Sequence, residues 1–284
     1  MNRATLAEAG FLGAAVLSAS LTALILMFML FLGFPLLRGG HFFTLLTTSW
    51  NPDKGLFGIY PMLTGTLSIV FLSLLWAFPL SLGTSALMSV IAPPVFSKFC
   101  KKTVQMLTGI PTVIYGFVGV FLLVPFIREV FASGSGMSIL SASLMLSMVI
   151  SPTMILIYTD AFESVPASYT AAADALGATP VQKLIYVILP YSRDGIFSGI
   201  VLSAGRAMGD TIIALMIAGN AVAVPGSVLD SARALTSHIA LVIAADFDSI
   251  EFKTIFAAGL VLYAFAAFII FIARIIGRTG MKKI

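Results

Sequence analysis

The sequence predicts an all-α integral membrane protein with six transmembrane helices. Of its 284 residues, 59% are hydrophobic and only 10% are charged, whereas about 25% of the residues in a soluble domain are charged. Five long stretches contain no Asp, Glu, Lys or Arg: residues 9–37, 55–97, 103–127, 130–159 and 254–273. Because a helix needs roughly 20 apolar residues to cross a bilayer, each stretch is long enough to span it. The alternating strands of a β-barrel do not occur in the sequence, so we expect helices throughout.

The first stretch, residues 9–37, could be taken for a signal peptide. It is longer than the roughly 7–15 apolar residues of a signal peptide, and no small-residue cleavage site follows it before Arg38. We therefore interpret it as a retained first helix.

The second stretch, residues 55–97, admits two interpretations. It could form one span over about residues 62–82 with an apolar tail, or a tight hairpin of two spans that turns near Pro79. A single span would place the lysines of residues 98–102 on the opposite side of the membrane from Lys54. This separation favours one span and leaves the hairpin as the alternative.

The remaining spans are predicted at residues 103–127, 130–159, about 195–219 and 254–273, in a single transmembrane domain over residues 1–284. With six spans, ten of the 16 Lys and Arg residues lie on the side of the two termini, five lie on the other side, and Arg206 lies within the membrane. Because cytoplasmic loops carry the excess of basic residues, both termini are predicted to be cytoplasmic.

Three connecting segments are long. Residues 41–60 and 220–253 are predicted to be external, and the mostly apolar residues 232–245 could form a short helix at the interface or dipping into the membrane. The third segment, residues 161–193, is predicted to be cytoplasmic and to contain two short helices. The first begins near Pro166, and Gly177 ends it in the left-handed conformation.

The second helix of this 161–193 loop is predicted to start at Thr179, whose side chain suits an N-cap, with Pro180 at its first position. It is predicted to stop at Pro190, because proline inside a helix removes a hydrogen bond. An ordinary structured connector would fit the spacing equally well.

The loop sequence resembles the cytoplasmic loop signature of ABC importer permeases. That signature is Glu-Ala-Ala, three residues, Gly, nine residues and Ile-x-Leu-Pro, and its spacing is matched here in full. The two departures are Ala171 in place of Glu and Val187 in place of Ile. The resemblance implies that the loop couples the permease to an ATPase through Ala171, Ala172, Ala173, Gly177, Leu189 and Pro190.

Two further motifs resemble the permeases of phosphate importers. They are Gly-Ile-Pro-Thr-Val-Ile-Tyr-Gly-Phe at residues 109–117 and Gly-Arg-Ala-Met-Gly-Asp-Thr at residues 205–211, where the family usually has Glu in place of Asp210. Residues 50–52 and 57–66 resemble the PstC type of subunit more than the PstA type.

This resemblance implies the architecture of a type I ABC importer permease in the bacterial inner membrane. The implied function is ATP-driven import of inorganic phosphate. The implied partners are a second, PstA-like permease, a dimer of ATP-binding subunits and an external phosphate-binding protein. The expected substrate path contains Arg206, Asp210, Thr211, Thr112 and Tyr115.

The residues themselves support a role for Arg206 and Asp210. They are four apart, so on a continuous helix they share one face. A charge inside the membrane costs several kcal/mol and usually marks a function. Arginine offers planar, bidentate donors to phosphate. A carboxylate could accept a hydrogen bond from the protonated oxygen that phosphate has and sulfate lacks. The alternatives are that Asp210 only neutralises Arg206, and that the hydroxyls of Thr112 and Tyr115 only join helices.

Several classes of protein are excluded or less favoured. No Gly-Lys dipeptide occurs, so the chain has no P-loop. We expect ATP and magnesium to be bound by the separate ATPase. The chain itself is expected to be no enzyme and to bind no cofactor. A single cysteine, Cys100, excludes a disulfide framework. Basic residues flank the apolar runs, which indicates contact with the lipid bilayer and not with nucleic acid. An importer of sulfate, molybdate or phosphonate, or an ion-coupled anion carrier, remains the alternative.

Overall fold

The computed structural model describes residues 3–37, 41–132 and 134–280. Six helices in this part of the chain are long and apolar enough to cross a membrane, which confirms the all-α, six-span prediction. The spans are Glu8–Phe34, Tyr60–Ile91, Thr112–Phe131, Ile139–Glu163, Pro180–Gly209 and Ile250–Phe271.

The elements follow one another along the chain as helices with one short hairpin. The helices are α1 (Arg3–Leu37), α2 (His41–Thr47), α3 (Tyr60–Ala86), α4 (Pro94–Thr108), α5 (Thr112–Val118), α6 (Val124–Phe131), α7 (Ile139–Glu163), α8 (Ala167–Ala175), α9 (Pro180–Lys183), α10 (Leu189–Gly209), α11 (Ile212–Ile217), α12 (Leu235–Val242) and α13 (Ile250–Gly280). Strands β1 (Trp50–Asn51) and β2 (Leu56–Phe57) pair antiparallel around the 3-10 turn Pro52–Lys54.

The core of the bundle is α7, which packs against α3 on one side and α10 on another. Small residues allow these helices to approach closely. Ser81 of α3 donates a 3.4 Å hydrogen bond to the carbonyl of Ser151 in α7, and Gly199 of α10 lies against the ring of Tyr158. Helix α1 packs against α13 at the edge of the bundle.

The second span is one helix, as the charge distribution favoured. Helix α3 passes Pro79 and continues into a π-helical turn, Leu87–Ile91, so the hairpin alternative is wrong. The lysines of residues 98–102 lie on a separate helix, α4. The prediction that the third span begins at residue 103 is therefore also wrong. The chain leaves α4 after Thr108, and Pro111 is extended before the span begins at Thr112.

In the described residues, three π-helical turns precede prolines; the helix continues past the proline after two of them, and ends at Ala92 after the first. In each turn the residue before a proline donates its N–H to the carbonyl five residues earlier: Ala92 to Leu87, Val124 to Gly119, and Leu189 to Leu184. A proline ring would clash with the carbonyl four residues before it in a regular α-helix. The wider turn moves that carbonyl aside.

This turn geometry corrects the prediction that Pro190 stops the second helix of the 161–193 loop. The π-helical turn Leu184–Ile188 joins α9 to α10, so one continuous helix runs over Pro180–Gly209. The second loop helix is thus the beginning of the fifth span.

The fifth span also ends earlier than predicted. Helix α10 stops at Gly209, and Asp210 is extended, with φ −74° and ψ 114°. The predicted continuation to residue 219 is instead a separate short helix, α11. A second short helix, α12, forms within the predicted residues 232–245 and buries His238 against the indole ring of Trp50, with ring centroids 4.5 Å apart.

Candidate functional site

Arg206 lies in the last turn of α10, close to the point where the fifth span breaks. Its Nη1 atom donates a 2.6 Å hydrogen bond to the hydroxyl oxygen of Thr153 in α7. Arg206 is exposed, and no atom lies within 4 Å of where a Cβ would stand at Gly205 or Gly209. The guanidinium is therefore held by Thr153, while the Arg206 residue as a whole stays exposed beside two glycines that leave open space.

Thr153 is a site residue that the sequence reasoning missed. It lies near the middle of α7, directly after Pro152, which supplies no N–H to the carbonyl of Met148. Ser151 and Thr153 place hydroxyls on both sides of Pro152 within the uncharged stretch 130–159, and this pattern could have indicated Thr153.

Asp210 does not share a helical face with Arg206, so that prediction is wrong. Because the chain is extended at Asp210, its carboxylate turns to the first turn of α11 and accepts a 2.8 Å hydrogen bond from the N–H of Ile213. Its carbonyl accepts a 3.1 Å hydrogen bond from the hydroxyl of Thr236. None of the ion pairs in the described part of the chain joins Asp210 to Arg206.

The other predicted path residues are only partly brought together. Thr211 follows Asp210 directly, and its carbonyl accepts a hydrogen bond from the N–H of Leu215. Thr112 begins α5 and is half-buried. The hydroxyl of Tyr115 donates a 3.4 Å hydrogen bond to the carbonyl of Leu107, back towards the end of α4. For the described residues, the structure gives neither Thr112 nor Tyr115 a hydrogen bond to Arg206.

The 161–193 loop is built by local hydrogen bonds. Gly177 has φ +74°, the left-handed conformation predicted for it. Thr179 and Gln182 cap each other: the N–H of Gln182 donates to the hydroxyl of Thr179 at 3.3 Å, and the N–H of Thr179 donates to the Gln182 amide oxygen at 2.9 Å. An ion pair between Asp174 and Lys183 then joins α8 to α9.

The outer surface of this loop is apolar. Leu176 is 89% exposed and Tyr186 is 75% exposed. A groove of about 440 Å³ lies between α8 and the following π-helical turn, and it is lined by Tyr169, Ala172, Ala173, Leu176, Tyr186, Val187 and Tyr191. Exposed apolar patches of this kind are typical of surfaces that bind another protein.

Metal ligands are not clustered in residues 3–37, 41–132 and 134–280. No group of three His, Cys, Asp or Glu side chains is placed there to hold an ion. The chemistry that the site offers is anion binding by a guanidinium at one end of the helix over Pro180–Gly209, and an exposed apolar surface lies at the other end of this helix.

Sequence comparisons match the chain to transport proteins. The family model described as binding-protein-dependent transport system inner membrane component matches residues 85–279. A probable ABC transporter permease protein, YqgH of Bacillus subtilis (strain 168), is 35% identical over 233 residues, which are 81% of this chain and 75% of that protein. The phosphate transport system permease protein PstC of Pasteurella multocida (strain Pm70) is 30% identical over 253 residues, covering 82% of this chain and 79% of that protein.

Solved structures share the fold at lower sequence identity. A chain of a bacterial alginate ABC transporter superposes with a TM-score of 0.66 and 18% identity, over 97% of this chain and 96% of that chain. A chain of the inward-facing MetNI methionine ABC transporter gives a TM-score of 0.61 and 19% identity, over 78% of this chain and 94% of that chain. The chain has the fold of a type I ABC importer permease and belongs to the family of binding-protein-dependent transport system inner membrane components.

Proposed function

We propose that this chain is a permease subunit of an ATP-driven importer of inorganic phosphate, and that it forms the translocation path together with a second permease. The observation that carries the proposal is the exposed Arg206 side chain, whose guanidinium donates to Thr153 at the end of the fifth span. The PstC relatives, which cover about four fifths of the chain, support phosphate as the anion.

The geometry of Arg206 suits an oxyanion. A guanidinium has five N–H donors in a plane, and Thr153 engages one of them. The remaining donors can bind two oxygens of one phosphate, an arrangement in which arginine is stronger and more specific than lysine. We place Asp210 and Thr211 beside this anion, because they follow the end of α10 directly.

Discrimination against sulfate follows from the carboxylate of Asp210. Near neutral pH, phosphate has a protonated oxygen whose O–H can donate a hydrogen bond to a carboxylate oxygen. Sulfate carries none, so it would meet unrelieved repulsion there. A path with both Arg206 and Asp210 would therefore prefer phosphate over other tetrahedral dianions.

Coupling to ATP would pass along one helix. The helix over Pro180–Gly209 carries the apolar loop surface at one end and Arg206 at the other. At about 1.5 Å per residue its 30 residues extend about 45 Å. An ATPase that moves the 161–193 loop would therefore move the helix that carries Arg206, and so switch access to the anion between the two sides of the membrane.

The proposed assembly contains a PstA-like second permease, two ATPase subunits that bind ATP and magnesium, and an external phosphate-binding protein. In this arrangement both termini and the 161–193 loop face the cytoplasm. The side that carries the hairpin β1–β2 and α12 faces the binding protein.

The experiment that tests the function is uptake of radiolabelled phosphate in a strain that lacks this chain, with sulfate uptake as the control. We expect phosphate uptake to fall and to return when the chain is supplied in trans, with sulfate uptake unchanged. Loss of sulfate uptake instead would assign the chain to another oxyanion. Phosphate uptake that persists without the ATPase subunit would indicate an ion-coupled carrier.

Energy supply is tested with purified proteins. The chain alone should not hydrolyse ATP, since its sequence has no P-loop. Reconstituted with its ATPase and binding protein, it should support hydrolysis that phosphate stimulates. Robust hydrolysis by the chain alone would contradict the proposal.

A further inference from the structure

Helix α4 connects two spans without crossing the membrane itself. It begins three residues after Ile91, where the second span ends, and it ends a few residues before Thr112, where the third span begins. Both of its ends are thus tied to the boundary of the bilayer on one side of the protein.

One face of α4 is anchored to the bundle. Val104 is buried and packs with Met88 and Ile155. Lys101 lies 2.9 Å from Glu163 and 3.8 Å from Asp160 at the end of α7. These contacts fix the rotation of α4 and therefore determine which residues it turns away from the bundle.

The opposite face of α4 is apolar and exposed. Val95 is 83%, Phe99 is 67% and Met106 is 75% exposed. They follow one another by four and seven residues, which is the spacing of one helical face. An apolar stripe on a helix held at the edge of the bilayer is typical of helices that lie in the membrane interface.

Two lysines lie along one edge of this stripe. Lys98 and Lys102 follow Val95 by three and seven residues, and both are exposed. Lys101 is the lysine of α4 that forms ion pairs. Among the described side chains of residues 8–271, no carboxylate lies within 4.0 Å of Lys98 or Lys102. A groove of about 490 Å³ runs along the same face and is lined by Val95, Lys98, Phe99, Lys101, Lys102 and Gln105.

We propose that α4 is a binding site for anionic phospholipids, with the stripe of Val95, Phe99 and Met106 in the acyl region and with Lys98 and Lys102 on the lipid phosphate. The charges are complementary, since basic side chains at the membrane surface attract anionic headgroups. Apolar side chains next to lysines are the combination that an interfacial helix needs. Lys101 holds α4 against α7 through its ion pair with Glu163, so its charge is not assigned to the lipid phosphate.

The lipid preference is tested on the full chain in nanodiscs of equimolar phosphatidylglycerol and phosphatidylcholine, by counting the lipids that the chain retains in native mass spectrometry. The wild type should retain phosphatidylglycerol preferentially. Lys98→Gln/Lys102→Gln should reduce this preference roughly five-fold for each lysine. Both side chains are exposed, so the fold should be unaffected.

The matched control is Lys54→Gln/Arg128→Gln. It removes the same charge from exposed residues at the opposite ends of the second and third spans, and it should leave the preference unchanged. Equal effects of the two double variants, or an unchanged preference after Lys98→Gln/Lys102→Gln, would overturn the proposal. The proposal would also be overturned if Lys98→Gln/Lys102→Gln kept its lipid preference but no longer co-purified with the ATPase. In that case α4 would be a protein-binding surface.

The depth of α4 gives a second, independent measurement. A nitroxide is attached at Phe99→Cys, Met106→Cys or Gln105→Cys in a chain that also carries Cys100→Ser. Labels at residues 99 and 106 should collide more with oxygen, and the label at residue 105 more with an aqueous nickel chelate. Dominant access of the nickel chelate to all three labels would show that α4 stands away from the lipid and would overturn the proposal.

Discussion

Arg206 and Thr153 are joined by a 2.6 Å hydrogen bond from Nη1 to Oγ1, which links the last turn of α10 to the middle of α7. The contact orients the guanidinium of an exposed residue. It also replaces the expected pairing with Asp210, whose carboxylate accepts from the backbone of Ile213. Arg206 and Asp210 therefore have separate hydrogen-bond partners and can be tested separately.

Arg206→Ala should abolish phosphate uptake at matched membrane abundance, because it removes every donor to the anion. Arg206→Lys should retain part of the uptake, since it keeps the charge and loses the planar fork. Thr153→Val should lower uptake at least about ten-fold, because a hydrogen bond to a charged group contributes roughly 1.5–3 kcal/mol. Arg128→Ala, at an exposed arginine in another span, is the control.

Adding Asp210→Ala to Arg206→Ala should not restore uptake, since the two side chains are not paired in the structure. Near-normal uptake by this double variant would show that the arginine has no role toward the anion.

Asp210→Asn should separate selectivity from structure. Asparagine keeps an oxygen that can accept from the N–H of Ile213 but removes the negative charge. We expect normal membrane abundance and a new inhibition of phosphate uptake by sulfate. Asp210→Ala should instead reduce abundance, because losing a side-chain acceptor at the start of a helix costs about 1 kcal/mol. If sulfate is excluded from Asp210→Asn as it is from the wild type, the carboxylate does not discriminate between the anions.

Gly177→Val should impair association with the ATPase while the chain still inserts into the membrane. The residue has φ +74°, and no atom lies within 4 Å of where its Cβ would be, so the cost is purely one of backbone conformation. That cost is roughly 1–2 kcal/mol for a residue other than glycine. Gly177→Asn is the matched control, because asparagine tolerates the left-handed region. Co-purification of the ATPase subunit reports the outcome, and equal association of both variants would argue against a coupling role for the loop.

His238 should make the protein less stable in acid. Burial, together with the nearby positive charge of Arg233, lowers the pKa of His238 from about 6.5 to about 4. On acidification the unfolded chain therefore takes up the proton first. The stabilisation is complete above about pH 6.5 and is lost as the pH falls towards about 4, with a total on the order of 3 kcal/mol.

The measurement is thermal unfolding of the purified chain in detergent across this pH range. His238→Leu should show a shallower loss of stability than the wild type, since it has no group to protonate at this position. Identical pH profiles for the two proteins would assign the acid sensitivity to other residues.

Hydropathy and local hydrogen-bonding chemistry were sufficient to predict much of this protein from its sequence. The six spans follow from apolar stretches because a bilayer leaves no other way to satisfy the backbone. The left-handed Gly177 and the cap at Thr179 were predicted because a glycine conformation and an N-cap depend on residues within one turn of each other. The preference for one span over residues 55–97 came from the positions of lysines alone.

The tertiary structure decided where the helices break and which side chains meet. Pro190 was expected to end a helix, yet a wider turn at Leu184–Ile188 carries the helix past it. Asp210 was expected on the same helical face as Arg206, yet the chain leaves the helix at Gly209. The contact of Arg206 with Thr153 joins residues 53 positions apart. Such features depend on how separate helices pack, and the spacing of residues along one helix carries no information about the neighbour that it will face.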